Sequence, residues 1–225
     1  MPRSSNSFPS SAERLDALHI ALLGDSIFDN SSYTGGEPDV VTHLRELLPT
    51  GANATLLAVD GAITRSLTEQ VRGIPADSTH LVVSIGGNDA LNYLDLLDAP
   101  ATSTADALRR FGSALSRFES DYRAAVQPVI DRGLPVTICT IYNGAFEDPD
   151  EAARARVALM LFNDVILRVA FEHRASVIDL RLVCSERADY ANPIEPSGQG
   201  GMKIAKAIVR ATGAGPAGGH SACFW

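Results

Sequence analysis

The feature that most constrains this chain is an alternation. Five short apolar runs, at residues 19–23, 54–59, 81–85, 135–141 and 176–180, have strand length and give way within two residues to Gly, Asp, Asn or Arg. Between them, residues 40–48, 64–71, 104–132 and 152–174 repeat apolar side chains at intervals of three and four, the spacing of one helix face, and residues 197–210 form a last helix. Continuous apolar strands are those covered on both faces, and strands separated by helices pair in parallel. With right-handed crossovers the helices fall on both sides of the sheet. The pattern therefore predicts a three-layer α/β/α sandwich around a five-stranded parallel sheet.

No 20- to 50-residue period repeats and no Pro/Ser-rich linker interrupts the middle of the chain. A single domain is expected over residues 18–212, with 1–17 and 213–225 as loose ends. Of the 225 residues, 45% are hydrophobic and 20% charged, so a core can form without disulfides or metal staples.

Charge removes several classes of partner. There are 27 acidic and 19 basic residues, a net charge of -8, the wrong sign for gripping a phosphate backbone or an anionic membrane. Residues 1–17 lack the apolar centre of a signal peptide, and no apolar run approaches the roughly 18 residues of a membrane span. Cys139, Cys184 and Cys223 are odd in number and far apart, without the spacing of a zinc or dithiol site. Together these suggest a cytoplasmic protein with reduced thiols, no membrane anchor and no nucleic-acid partner. His19, His43, His80, His173 and His220 lack metal-ligand spacing, and no metal or other cofactor is expected. The tail at 213–218 matches G-x-G-x-x-G, but it follows a helix and opens none, so it is not read as a dinucleotide site.

In an open parallel sheet, ligands bind beyond the carboxyl ends of the strands. The first strand is followed by Gly24-Asp25-Ser26, the second by Asp60-Gly61-Ala62, and the third by Gly86-Gly87-Asn88-Asp89. Taken singly, these read equally as a helix cap and two turns. Together and in this order they resemble the SGNH/GDSL hydrolases over residues 19–211. The resemblance implies a flavodoxin-like sheet of order 2-1-3-4-5 and hydrolysis of a small-molecule acyl ester. It also implies Ser26 as nucleophile and Gly61 and Asn88 as donors to the oxyanion.

That family's last block carries D-x-x-H, and here the aligned residues are Asn192-Pro193-Ile194-Glu195. Asn192 stands where the orienting Asp is expected and Glu195 where the catalytic His is. No histidine lies between His173 and His220. Four readings follow: Glu195 is the base; His43 replaces it from a neighbouring helix; the cleft runs a different reaction; or the fold binds a ligand without turning it over. Other polar residues at the strand ends are Asp29, Tyr33 and Tyr142, candidates for substrate contact, and Thr140 and Asn143, which serve equally as turn and capping residues. Asn163 and Asp164, within an apolar helix, are expected to bond the neighbouring loop. Residues 91–107 read as a lid or as the start of the following helix.

Overall fold

The computed structural model describes residues 18–214. The segments expected to be loose lie outside these, apart from Gly213 and Ala214, and so do His220 and Cys223. Five strands, β1 (His19–Gly24), β2 (Asn53–Leu56), β3 (His80–Ser84), β4 (Val136–Cys139) and β5 (Ser176–Ile178), pair in parallel in the order β2-β1-β3-β4-β5. The helices are α1 (Val40–Leu47), α2 (Leu67–Arg72), α3 (Gly87–Leu91), α4 (Asp95–Asp98), α5 (Thr104–Ile130), α6 (Pro149–Glu172), α7 (Leu180–Val183) and α8 (Gly198–Ala211). This is the expected α/β sandwich.

The apolar runs are continuous because alternate residues serve two cores. Ala21 and Leu23 of β1, with Leu81 and Val83 of β3, join α2, α5 and α6 on one face. Ile20 and Leu22, with Val82, join α1, α7 and α8 on the other. Every residue of β1 is buried. Among the described residues, no helix is long and apolar enough to cross a membrane.

Two strands are shorter than their apolar runs, for reasons of hydrogen bonding. Beyond Leu56 the N–H groups of Leu57 and Ala58 both turn to the Leu22 carbonyl, at 2.8 and 3.0 Å, which breaks the even spacing of a parallel ladder. Beyond Cys139 the backbone of Ile141 is taken by Asn163, whose Oδ1 accepts from Ile141 N at 2.7 Å while its Nδ2 donates to Ile141 O at 2.8 Å. That clamp is the bond to the loop expected of Asn163; Asp164, for which the same was expected, accepts from Arg168 Nε of its own helix at 2.9 Å, because one turn along an exposed helix face that partner is nearer than the loop. The helix expected at 64–71 is a 3-10 turn (Thr64–Ser66) running into α2, and the one expected from 152 starts at Pro149, capped by Asp148.

Candidate active site

The first strand must end in glycine. Gly24 has φ +136°, and a Cβ there would stand 1.8 Å from the Ser84 carbonyl oxygen of β3. Gln70 of α2 holds this residue from both sides, accepting from Gly24 N at 2.7 Å and donating to Gly24 O at 2.8 Å. The chain then closes one tight turn, with the N–H groups of Phe28 and Asp29 on the Asp25 carbonyl, and Ser26 lies in it. Phe28 anchors that turn in the core with no exposed surface.

The decisive contact joins residues far apart in sequence. The Ser26 hydroxyl donates to Glu195 Oε1 at 3.1 Å, and both residues are buried. Glu195 is held by a dense set of loop bonds. Asn192 Oδ1 accepts from the N–H of both Ile194 and Glu195, each at 2.9 Å. Ala191 N donates to Glu195 O at 2.9 Å, the Tyr142 hydroxyl donates to Ile194 O, and Ser197 caps α8 immediately downstream. Asn30, fully buried, ties the serine turn to this loop by donating to Pro196 O at 3.2 Å and accepting from Val40 N at 3.0 Å.

Two further turns flank the serine. Gly61 sits at φ +75°, in the left-handed region, with open space where a Cβ would be. Asn88 Nδ2 donates to Ala62 O at 2.9 Å, which fixes the amide plane, and the same nitrogen has a second N–H. The amide N–H groups of Ser26 and Gly61 meet no acceptor among the described residues. Asp29 and Tyr33 organise the Gly61 turn: Asp60 N donates to Asp29 Oδ2 at 2.9 Å and the Tyr33 hydroxyl to Asp60 Oδ2 at 2.7 Å.

Burial controls the charge here. Desolvation raises the Glu195 carboxyl to about 7; the Ser26 hydrogen bond opposes this and Asp60 adds to it. Glu195 Oε2 is buried with no hydrogen-bond partner among the described residues. Asp25, also buried, is pushed up to about 8, chiefly by desolvation and further by Glu195 and Asp89, against the bond it accepts from Ile27 N. The described histidines stand apart. His43 Nε2 pairs with the Gly198 carbonyl at 3.1 Å, and His19 and His80 open β1 and β3 at the opposite end of the sheet. Among the described residues no His, Cys, Asp or Glu cluster is arranged to hold a metal ion.

Ser26 and Glu195 form part of the wall of a cavity of about 100 Å³. Its other walls are mostly apolar, with Leu94 and Leu97 around α4, Phe111 of α5 and Leu159 and Phe162 of α6. Tyr142 lines it with its ring while committing its hydroxyl to Ile194, and Asn143 lines it too. Thr140 also lines it, with its hydroxyl committed to Asp179 at 2.9 Å and to the Leu180 N–H at 3.0 Å.

The sequence model of the GDSL-like lipase/acylhydrolase family matches residues 22–200, from within β1 into α8. The chain belongs to this family. No curated protein matches the sequence. Solved structures similar in fold include an extracellular lipase from Streptomyces rimosus, at 18% identity and TM-score 0.64, covering 86% of this chain and 99% of that one. The phospholipase A1 of Streptomyces albidoflavus NA297 matches at 18% identity and TM-score 0.64, covering 86% and 98%. An acetylxylan esterase from Geobacillus stearothermophilus matches at 19% identity and TM-score 0.61, covering 87% and 94%. At such identities the likeness is one of fold.

As a GDSL-like chain it brings the four blocks to one end of the sheet, with Ser26, Glu195 and Asn88 on one cavity and Gly61 on the turn that Asn88 fastens. The Asn192 side chain accepts from the Glu195 backbone N–H, so it orders the loop through the main chain and not through the Glu195 carboxyl. Sequence reading missed three supports. Gln70 and Asn30 carried a signal only as amides inside or beside apolar segments, and Asp25 was hidden as part of a turn motif. The cavity has no sequence signal of its own, although residues 91–107, which read as a lid or a helix start, contribute Leu91, Tyr93, Leu94 and Leu97 to its wall.

Proposed function

We propose that the protein hydrolyses an acyl ester through a Ser26 acyl-enzyme, with Glu195 as the base that the family resemblance would assign to histidine. The observation that carries this reading is the buried 3.1 Å hydrogen bond from Ser26 Oγ to Glu195 Oε1. A carboxylate at its usual pKa of about 4.3 is a feeble base for a hydroxyl. At about 7, Glu195 has the basicity of an imidazole, about 6.5 unperturbed, and Asp25 near 8 stays largely neutral while Glu195 ionises.

In the proposed cycle Glu195 takes the Ser26 proton as Oγ attacks the ester carbonyl. The negative charge that develops on the carbonyl oxygen is met by the Ser26 and Gly61 N–H groups and the second N–H of Asn88 Nδ2. Glu195 returns the proton to the departing alkoxide, takes one from the water that attacks the acyl-serine, and gives it to Ser26 Oγ as the acid leaves. Asn192 keeps Glu195 in place, and Asp29 and Tyr33 border the alcohol side.

The test is covalent. A fluorophosphonate should label the protein once, at Ser26, and Ser26→Ala should remove both the label and the hydrolysis of short p-nitrophenyl esters. Labelling elsewhere, with hydrolysis intact in Ser26→Ala, overturns the assignment. No label and no hydrolysis across a broad ester panel gives the site to a binding or repurposed role instead.

A further inference from the structure

The two flanks of Ser26 differ in chemistry. On one side Asp29, Tyr33 and Asp60 form a polar, hydrogen-bonded rim. On the other the cavity runs inward over side chains with no charge beyond Asp25 and Glu195 themselves. The inner wall is built by α6, where Ala155, Ala158, Leu159 and Phe162 recur at helical spacing on one face. Phe162 meets Phe118 edge-on, ring centroids 5.0 Å apart, and Tyr93 at a tilt, 5.8 Å away. These contacts close the floor, and the two alanines leave the space.

Resting on the Ser26 ester-hydrolase reading, we infer that this cavity holds the acyl half of the substrate, as an unbranched aliphatic chain of about four carbons beyond the carbonyl. An ester must place its acyl and alcohol halves on opposite sides of the attacked carbon. Only the cavity side removes methylenes from water, and a charged acyl group there would be desolvated without a partner. The length follows from size: an apolar cavity of about 150 Å³ admits the six carbons of benzene, so one of about 100 Å³ admits about four. Ala158 sets the depth, because it is half-buried and any larger side chain there occupies the chain's volume.

The experiment compares kcat/KM for p-nitrophenyl esters from acetyl to decanoyl, alongside NMR-detected binding of hexanamide, a neutral amide with one carbon more than that chain. Burial of each methylene is worth about fourfold, so pentanoyl or hexanoyl should exceed acetyl by at least about tenfold, with no gain beyond. Ala158→Leu should reduce that ratio about tenfold and abolish hexanamide binding, while Leu97→Ala should move the optimum to longer chains. A wild type that prefers acetyl, or a ratio untouched by Ala158→Leu, overturns the inference even if Ser26 is active. If no ester is cleaved but hexanamide binds wild type and Ser26→Ala and not Ala158→Leu, the chain site stands and the hydrolase reading falls. Absence of both cleavage and binding overturns both.

Discussion

In the proposed cycle Glu195 stands in for an imidazole, a role that depends on surroundings that remove it from water. Its Oε1 is engaged by Ser26 and its Oε2 has no partner among the described residues, so the charged form is under-solvated and the proton is held to about pH 7. A base must be deprotonated to act. Hydrolysis at subsaturating substrate should therefore rise with pH, with a midpoint near 7, and be largely lost at pH 5; a midpoint near the ordinary carboxylate range would mean that Glu195 is not the acting group. Glu195→Gln, which keeps the shape and removes the proton acceptor, should lower kcat/KM by about a hundredfold or more. Asn88→Ala should cost about a hundredfold in kcat, since the lost donor matters chiefly when charge sits on the carbonyl oxygen. If specific activity survives and only stability drops, Asn88 serves the Ala62 turn alone.

Among the elements, the critical joint lies between the turn after β1 and the loop before α8. These segments are 166 residues apart along the chain at the Asn30–Pro196 bond, and among the described residues that bond and the Ser26–Glu195 bond are what join them by hydrogen bonding. Asn30 also occupies the N–H of Val40, the first residue of α1, whose hydrogen bond cannot be made within the helix. Asn30→Ala would strand a buried donor and a buried acceptor together. It should lower unfolding free energy by at least about 2 kcal/mol in urea titrations, and activity should fall further than the folded fraction, because the Glu195 loop loses its anchor. A neutral effect on both would show that Asn192 and the α8 cap hold that loop unaided.

At the scale of the whole molecule, two buried carboxyls make stability depend on pH. A carboxyl whose folded pKa exceeds its unfolded one binds its proton more tightly in the native state. Its contribution is complete below the usual carboxylate range and is lost as pH rises through the folded value. For Asp25 that window runs from about 4 to about 8, and for Glu195 to about 7. The wild type should accordingly be less stable at pH 8 than at pH 5. Asp25→Asn, which can still accept from Ile27 N, should gain on the wild type as pH rises across that interval, seen as a growing difference in urea midpoint; parallel curves would show that Asp25 is not the group responsible.

What could be read without coordinates was whatever repeats locally. Side-chain periods marked five strands and their helices, crossover handedness implied a two-sided sandwich, and the turns after β1, β2 and β3 marked the active end. The ends of β2 and β4 could not be read that way, because they are set by Leu22 and Asn163, hydrogen-bonding partners on other segments. The same holds for the site. Ser26, Gly61, Asn88 and Glu195 were visible as residues in turns, but four roles remained open for Glu195 on composition and order alone. Basicity is a property of surroundings: the burial that lifts Glu195 and Asp25, the distance from Glu195 to Ser26, and the removal of His43 to the Gly198 carbonyl arise only when distant segments pack. The apolar cavity belongs to the same class, since α4, α5, α6 and the Glu195 loop each supply one wall and none encloses a volume alone.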